Sequence, residues 1–305
     1  MGQPRILGLT ALAAAALVAA VIAGRRNAPI AAVAAAEPRV ASITPAGTDL
    51  LIGMGAGDHL VGVSNFDHDR EGTIGKPKIG DYQSIDWERL ATLRPQILVV
   101  QYAADRIPSG LEQRCADLGI RIINLKLDSL EDIFSQTQML ADAVGEGQKG
   151  RAATARLRKQ LEGVRASVAA RPLVPTVIAM GQSGLDLAGP GEFLDELLNI
   201  SGGRNAAAGT AKRYPTVDRE LLSQMAPDAV IDLIPDGDKT PQVVARAVGF
   251  WNSLSDLPAV KNHRVAIVTD WYGQQPGLRV GELAQKFAEI LHPEIQAFTP
   301  SGTRP

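Results

Sequence analysis

Two glutamates recur at matching places in this chain. Tyr82-Gln83-Ser84-Ile85-Asp86-Trp87-Glu88-Arg89-Leu90 aligns without a gap on Tyr214-Pro215-Thr216-Val217-Asp218-Arg219-Glu220-Leu221-Leu222, with tyrosine, aspartate, glutamate and leucine coinciding. The match continues: Leu93 meets Met225, Pro95 meets Pro227, and Ile97-Leu98-Val99-Val100 meets Ala229-Val230-Ile231-Asp232. Self-similarity of this kind marks a duplicated structural unit. Each copy reads as a loop, a short helix, a proline turn and a buried strand, with Asp86 and Asp218 as helix N-caps. Glu88 and Glu220 then fall in the first helical turn. The helix dipole favours a carboxylate there by roughly a few tenths of a kcal/mol, which is reason enough for both. The chemical alternative is a pair of solvent-facing carboxylates, one per copy, suited to two basic sockets on a two-fold partner.

Other reactive side chains form no comparable pattern. The one cysteine, Cys115, sits in the helical stretch Glu112-Gln113-Arg114-Cys115-Ala116-Asp117-Leu118 and reads as a buried thiol without a partner for a disulfide or zinc site. His59, His68, His263 and His292 are scattered; only His68, between Asp67 and Asp69, has a metal-like neighbourhood, and a solvated loop explains it better. Gly53-Met54-Gly55-Ala56-Gly57 follows a helix rather than a strand, so it is a poor phosphate-binding loop. No Ser-His-Asp order or HExxH stands in the chain, and a two-lobed enzyme is the weakest functional reading. Net charge is -2 with no basic patch, so no nucleic-acid partner is expected.

The elements that position these residues follow an α/β alternation. Strands are expected at 40–44, 60–63, 96–101 and 120–125, with helices at 45–54, 85–93, 107–118 and 130–144. A second series has strands at 176–180, 229–234 and 265–269, with helices at 192–200, 218–225, 243–254 and 280–291. This alternation implies mostly parallel sheets covered on both faces. Between the series, residues 146–170 contain no proline and place Leu157, Leu161, Val164 and Val168 at helical spacing. A helix of that length spans roughly 37 Å, long enough to join two lobes. With 305 residues, the chain suits two lobes. The expected fold is therefore α/β: two doubly wound lobes, 37–145 and 172–297, bridged by one long α-helix at 146–171, with the ligand cleft between them. Trp251, at helical spacing, reads as core. Residues 298–305 read as a disordered tail. Residues 1–36 carry an uncharged apolar run from Ile6 to Ala23, then Arg25 and Arg26, then Ala34-Ala35-Ala36. They read as a cleaved signal peptide or as an uncleaved membrane anchor. Either places the remainder outside the cytoplasm, secreted or tethered.

Several segments together carry a resemblance. Arg39-Val40-Ala41-Ser42-Ile43-Thr44-Pro45-Ala46-Gly47-Thr48-Asp49, then Gly55-Ala56-Gly57-Asp58 with Leu60-Val61-Gly62-Val63, then Glu88-Arg89-Leu90 leading to Leu93-Arg94-Pro95-Gln96-Ile97, occur in order with the long helix behind them. This ordered set resembles the cobalamin and iron-siderophore periplasmic substrate-binding proteins of ABC importers over about residues 38–293. The resemblance implies a rigid two-lobed monomer that takes up a metal chelate and delivers it to the membrane permease subunits. It implies no resident cofactor and no metal site of the protein's own. It also implies docking roles for Glu88 and Glu220.

Ligand contacts are expected on loops at the carboxyl ends of strands. They are Thr44, Pro45, Asn65, Phe66, Tyr82 and Tyr102 in the first lobe, and Gln182, Arg213, Tyr214, Trp271 and Tyr272 in the second. Aromatic residues are only 4% of the chain, so this clustering is informative. Aromatic walls suit a flat macrocycle, and Arg213 suits an anionic chelate. A haem-binding member of the family, with Tyr82 as axial ligand, and a membrane-tethered sensor or scaffold remain the alternatives.

Overall fold

The computed structural model describes residues 37–181, 185–234 and 240–294. The terminal segments 1–36 and 298–305, and Gln182, lie outside the described residues.

Pro45 opens the first helix because its fixed φ suits the first helical turn and its missing N–H is not needed there. The first lobe runs β1 (Val40–Ser42), α1 (Pro45–Gly53), β2 (Leu60–Gly62), α2 (Trp87–Leu93), β3 (Ile97–Val100), α3 (Leu111–Asp117), β4 (Arg121–Asn124) and α4 (Leu130–Ala143). The long helix α5 (Gly147–Val168) follows. The second lobe contains β5 (Val174–Met180), α6 (Phe193–Ile200), β6 (Gly203–Asn205), α7 (Arg219–Met225), β7 (Ala229–Leu233), α8 (Pro241–Asn252), α9 (Pro258–Lys261), β8 (Val265–Val268) and α10 (Val280–Leu291).

Both sheets are parallel, and their strand orders correspond: β2-β1-β3-β4 and β6-β5-β7-β8. Parallel central strands are covered on both faces, which is why β3 (Ile-Leu-Val-Val) and β7 (Ala-Val-Ile-Asp-Leu) are buried at every position. The duplication reaches into local geometry. Asp86 caps α2 by accepting from the Arg89 N–H at 2.9 Å, and Asp218 caps α7 by accepting from the Leu221 N–H at 2.8 Å. Both helices end in a left-handed residue just before the proline turn, Arg94 (φ 47°) and Ala226 (φ 43°).

Helix α5 buries Gly150, Ala153, Leu157, Leu161, Val164 and Val168 along one face. It packs on α4 of the first lobe and on α6 and α10 of the second. One continuous apolar core runs from Val40 through this helix to Leu291, so the lobes share a core instead of hanging on a linker.

Three local departures from the sequence reading have physical causes. The helix expected from 107 begins at Leu111, because Gly110 (φ 80°) ends a turn at Pro108-Ser109-Gly110. Strand β6, Gly-Arg-Asn, contains no apolar residue; its pairing with β5 defines it. Helix α9 is a four-residue turn opened by Pro258. Trp251 is fully buried as expected, and its indole N–H donates to the Asp232 carboxylate at 2.8 Å. Cys115 is buried, and burial pushes its thiol pKa up, away from thiolate chemistry. Among the described residues no helix is long and apolar enough to cross a membrane.

Candidate functional site

The carboxyl ends of the strands in each sheet carry the loops that meet between the lobes. In the first lobe the loop after β2 is anchored by Asp67. Its buried carboxylate accepts from the Thr48 hydroxyl at 2.8 Å and the Ser64 N–H at 2.9 Å, and Lys78 donates to its backbone carbonyl. With Asp67 turned inward, its neighbour Phe66 stands half exposed and stacks on Tyr82, ring centroids 5.8 Å apart. Tyr82 sits in a turn organised by Asp81, whose carboxylate accepts from the Gln83 and Ser84 N–H groups and from the Asn65 side chain. Burial raises the Asp81 pKa, but these three hydrogen bonds outweigh it and hold the carboxyl below the usual range. The Tyr102 hydroxyl donates to the Tyr82 carbonyl at 3.1 Å, and Asn124 brackets the Tyr102 backbone from both sides. Thr44 is buried and donates to Gln101, with Pro45 half-buried behind it. Asn65, Phe66, Tyr82 and Tyr102 therefore form one surface.

The second lobe differs from the sequence expectation. Arg213 is not a free cation awaiting an anion. It forms an ion pair across the lobes with Asp128, at 2.7 Å. Tyr214 is half exposed, with its hydroxyl beside Glu192. Glu192 is fully buried at the N-cap of α6, accepting from the Asp195 N–H at 3.1 Å. Burial pushes the Glu192 carboxyl up to about 7, and burial together with the Glu192 charge pushes the Tyr214 phenol up to about 12. Tyr214 is thus held as a neutral phenol.

Trp271 and Tyr272 do not form an open aromatic wall. The Arg70 guanidinium lies 4.2 Å from the Trp271 ring centre and Arg279 lies 5.5 Å from it, so the indole is occupied in the contact between lobes. Tyr272 is 9% exposed and belongs to the shared core. Beside them the buried Asp49 of α1 accepts the Leu278 N–H at 2.9 Å and sits 3.6 Å from Arg70. The lobes are therefore tied at both ends of the cleft. Asp49, Arg70, Trp271 and Leu278 join the β2 and β8 edges, while Asp128–Arg213 and the Leu130 N–H to Glu196 bond join the β4 and β6 edges.

Among the described residues no group of three or more His, Cys, Asp or Glu is placed to hold a metal ion. The acidic neighbourhood of His68 does not converge, because Asp67 faces Thr48. Glu88 and Glu220 are both exposed on their capped helices, and neither carboxylate has an ion pair within the described residues.

A family model for periplasmic binding proteins matches residues 40–271. The chain belongs to the periplasmic binding protein family. Family members similar to it include the vitamin B12-binding protein of Vibrio parahaemolyticus serotype O3:K6, 26% identical over 76% of this chain and 82% of that protein. An uncharacterized ABC transporter substrate-binding lipoprotein of Bacillus subtilis, YvrC, is 24% identical over 85% of this chain and 81% of its own. The two-lobed fold is shared with a periplasmic heme-binding protein from Pseudomonas aeruginosa, with TM-score 0.73 and 22% identity over 86% of this chain and 95% of that one. It is also shared with the periplasmic vitamin B12-binding protein of Vibrio cholerae, with TM-score 0.69 and 20% identity over 84% and 96%.

Against this family frame, the residues missed from sequence are Asp49, Arg70, Asp128 and Glu192. Asp49, Arg70 and Asp128 act across distances in the chain that no local pattern encodes, whereas Glu192 also caps its own helix. Glu192 alone left a trace: a glutamate after Gly191 at a helix start, where a shorter capping side chain is usual.

Proposed function

We propose that this protein captures a metal chelate, a corrinoid or a ferric siderophore, between its lobes outside the cytoplasm. It then delivers the chelate to the permease of an ABC importer. Residues 1–36 serve as a secretion signal or membrane tether. The observation that carries the reading is the pair of exposed carboxylates, Glu88 and Glu220, without an ion pair among the described residues, on repeat-equivalent capped helices, one per lobe. The helix dipole accounts for a carboxylate at each place, and their equivalent exposure on both lobes also suits two basic groups on a permease. The Phe66–Tyr82 stack supplies the flat apolar wall that a planar or macrocyclic chelate needs. The relatives named for vitamin B12 support the corrinoid class.

The test is a thermal-shift and fluorescence-quenching screen of the chain from Glu37 onward against cyanocobalamin, ferric siderophores and haemin. A ligand at about a hundredfold over its Kd should add about 2.7 kcal/mol of stability. Phe66→Ala with Tyr82→Ala should weaken that ligand at least about tenfold. No shift with any of the three classes would refute the chelate assignment. Docking is checked separately. Glu88→Ala with Glu220→Ala should abolish uptake and leave the ligand Kd unchanged, whereas a weaker Kd would put these residues in the ligand site instead.

A further inference from the structure

The two docking helices are alike in their caps and unlike in one side chain. The alignment that pairs Glu88 with Glu220 pairs Arg89 with Leu221. In the first lobe the Arg89 guanidinium lies 3.5 Å from Asp86 and donates to the Lys78 carbonyl at 2.7 Å. Leu221 has no polar group to make that reach. It is 40% exposed, and beside it lies a cavity of about 510 Å³. Ala206, Val217, Leu221 and Met225 give the cavity its apolar walls, and the exposed Lys212 and Gln224 also line it.

We propose that this cavity is an anchor socket for the importer's permease: it receives an apolar side chain from the same permease loop whose basic group meets Glu220. The proposal rests on the docking reading above and adds a site to it. Continuity supports it first. Leu221 follows Glu220, and the cavity-lining Gln224 side chain lies 3.5 Å from the Glu220 carboxylate. Charge supports it second. An exposed carboxylate beside a largely apolar cavity matches a segment carrying a cation next to an apolar group. Energetics support it third. Exposed charge pairs chiefly steer encounter and fix register, while residence comes from apolar anchors seated in desolvated pockets. The first lobe's groove beside Glu88, about 800 Å³, is lined by Ala91 and Leu93 but also by the guanidinium-bearing Arg39 and Arg94, where the second lobe's cavity has one cation, Lys212.

The decisive variant is Leu221→Arg, which gives the second lobe the residue the first lobe already folds with. The full-length protein, carrying a fluorescent protein after Pro305, is bound to right-side-out membrane vesicles of the source organism. Unlabelled variants are then used as competitors. Leu221→Arg is expected to compete at least tenfold more weakly than wild type. Ala211→Trp, which fills the socket from its exposed wall, should do the same. Melting temperature and affinity for cyanocobalamin or haemin should not change. If Leu221→Arg and Ala211→Trp compete like wild type while Glu220→Ala fails, the socket is wrong and the docking reading stands. If Glu88→Ala with Glu220→Ala also competes like wild type, the docking reading falls and takes the socket with it. If Leu221→Arg weakens ligand binding, the cavity belongs to the ligand site and the proposal is overturned.

Discussion

Gly277→Ala is expected to destabilise the protein by about 2–4 kcal/mol and to lower its melting temperature by roughly 5–15 °C. A β-carbon at Gly277 would lie 2.1 Å from Asp49 Oδ2 and 2.9 Å from its Cγ. Asp49 has no room to retreat. Its side chain is buried, with Oδ2 held by the Leu278 N–H and Oδ1 facing Arg70. The loop after β8 would have to lift instead, opening the contact that ties the lobes at that end of the cleft. Asp49→Ala should itself cost about 3–5 kcal/mol, because it leaves the Leu278 N–H unmet and strips Arg70 of its nearest carboxylate. The informative experiment is the cycle of both changes, read by thermal or urea unfolding. In the Asp49→Ala background the extra methyl enters vacated space, so Gly277→Ala should then cost little, a coupling of about 1–3 kcal/mol. Equal costs in both backgrounds would show that the glycine is needed for some other reason. Asp49→Asn separates charge from geometry. Burial raises the Asp49 pKa more than Arg70, the Leu278 N–H and Arg279 lower it, so the negative charge is poorly compensated. The amide keeps the acceptor for Leu278 but not the charge facing Arg70, so this variant should cost less than Asp49→Ala by about 1–3 kcal/mol, the share of the Leu278 bond.

How much of this was legible in the sequence depends on the range over which each feature acts. The apolar runs of β3 and β7, the capping aspartates Asp86 and Asp218, and the spaced leucines and valines of α5 are local signals, and all appear where the pattern put them. The repeat was legible because it is a comparison of the chain with itself. It extends to left-handed residues at Arg94 and Ala226 that no propensity rule would place there. The cleft was legible only in part. Phe66 and Tyr82 meet on one lobe, within one stretch of loop. Trp271 and Arg213, in contrast, are claimed by Arg70 and Asp128 of the other lobe, and residue type alone cannot distinguish an aromatic or cation that waits for ligand from one already engaged. Strand β6 was missed for a related reason: an edge strand of Gly-Arg-Asn carries no burial signal and exists through its neighbour.

The buried carboxylates of the second lobe should make the protein more stable in mild acid than in mild alkali. Asp232 stands on β7 where the first lobe has Val100, fully buried with one hydrogen bond, from Trp251, and its other oxygen unpaired. Burial pushes its pKa up to about 6, with the Trp251 bond pulling the other way. Glu192 is pushed up to about 7 in the same way. In both cases the folded state holds its proton more tightly than the unfolded chain. The stabilising contribution is therefore complete below the unfolded values, 3.8 for Asp232 and 4.5 for Glu192, and is lost as pH rises through about 6 and about 7. Asp81, Asp132 and Glu146 are shifted downward, so their contributions persist until pH falls below the ordinary carboxylate range and do not oppose this trend. Between about pH 8 and about pH 5, Asp232 should add roughly 1 kcal/mol of stability and Glu192 roughly 2 kcal/mol. Urea unfolding at both pH values, on wild type, Asp232→Asn and Glu192→Gln, checks each share. Asp232→Asn keeps an acceptor for Trp251 and should flatten the pH slope by its own share. Glu192→Gln keeps the α6 cap, should flatten the slope by the larger share, and should release the Tyr214 phenol from a neighbouring negative charge. Tyr214 should then ionise at lower pH in ultraviolet difference spectra. An unchanged slope in the Gln variant would mean that Glu192 is ionised in the folded protein at both pH values, as it is in the unfolded chain. Tyr214 would stay a neutral phenol across this range in either variant, because burial is the larger cause of its raised pKa and an ordinary tyrosine already holds its proton at about pH 8.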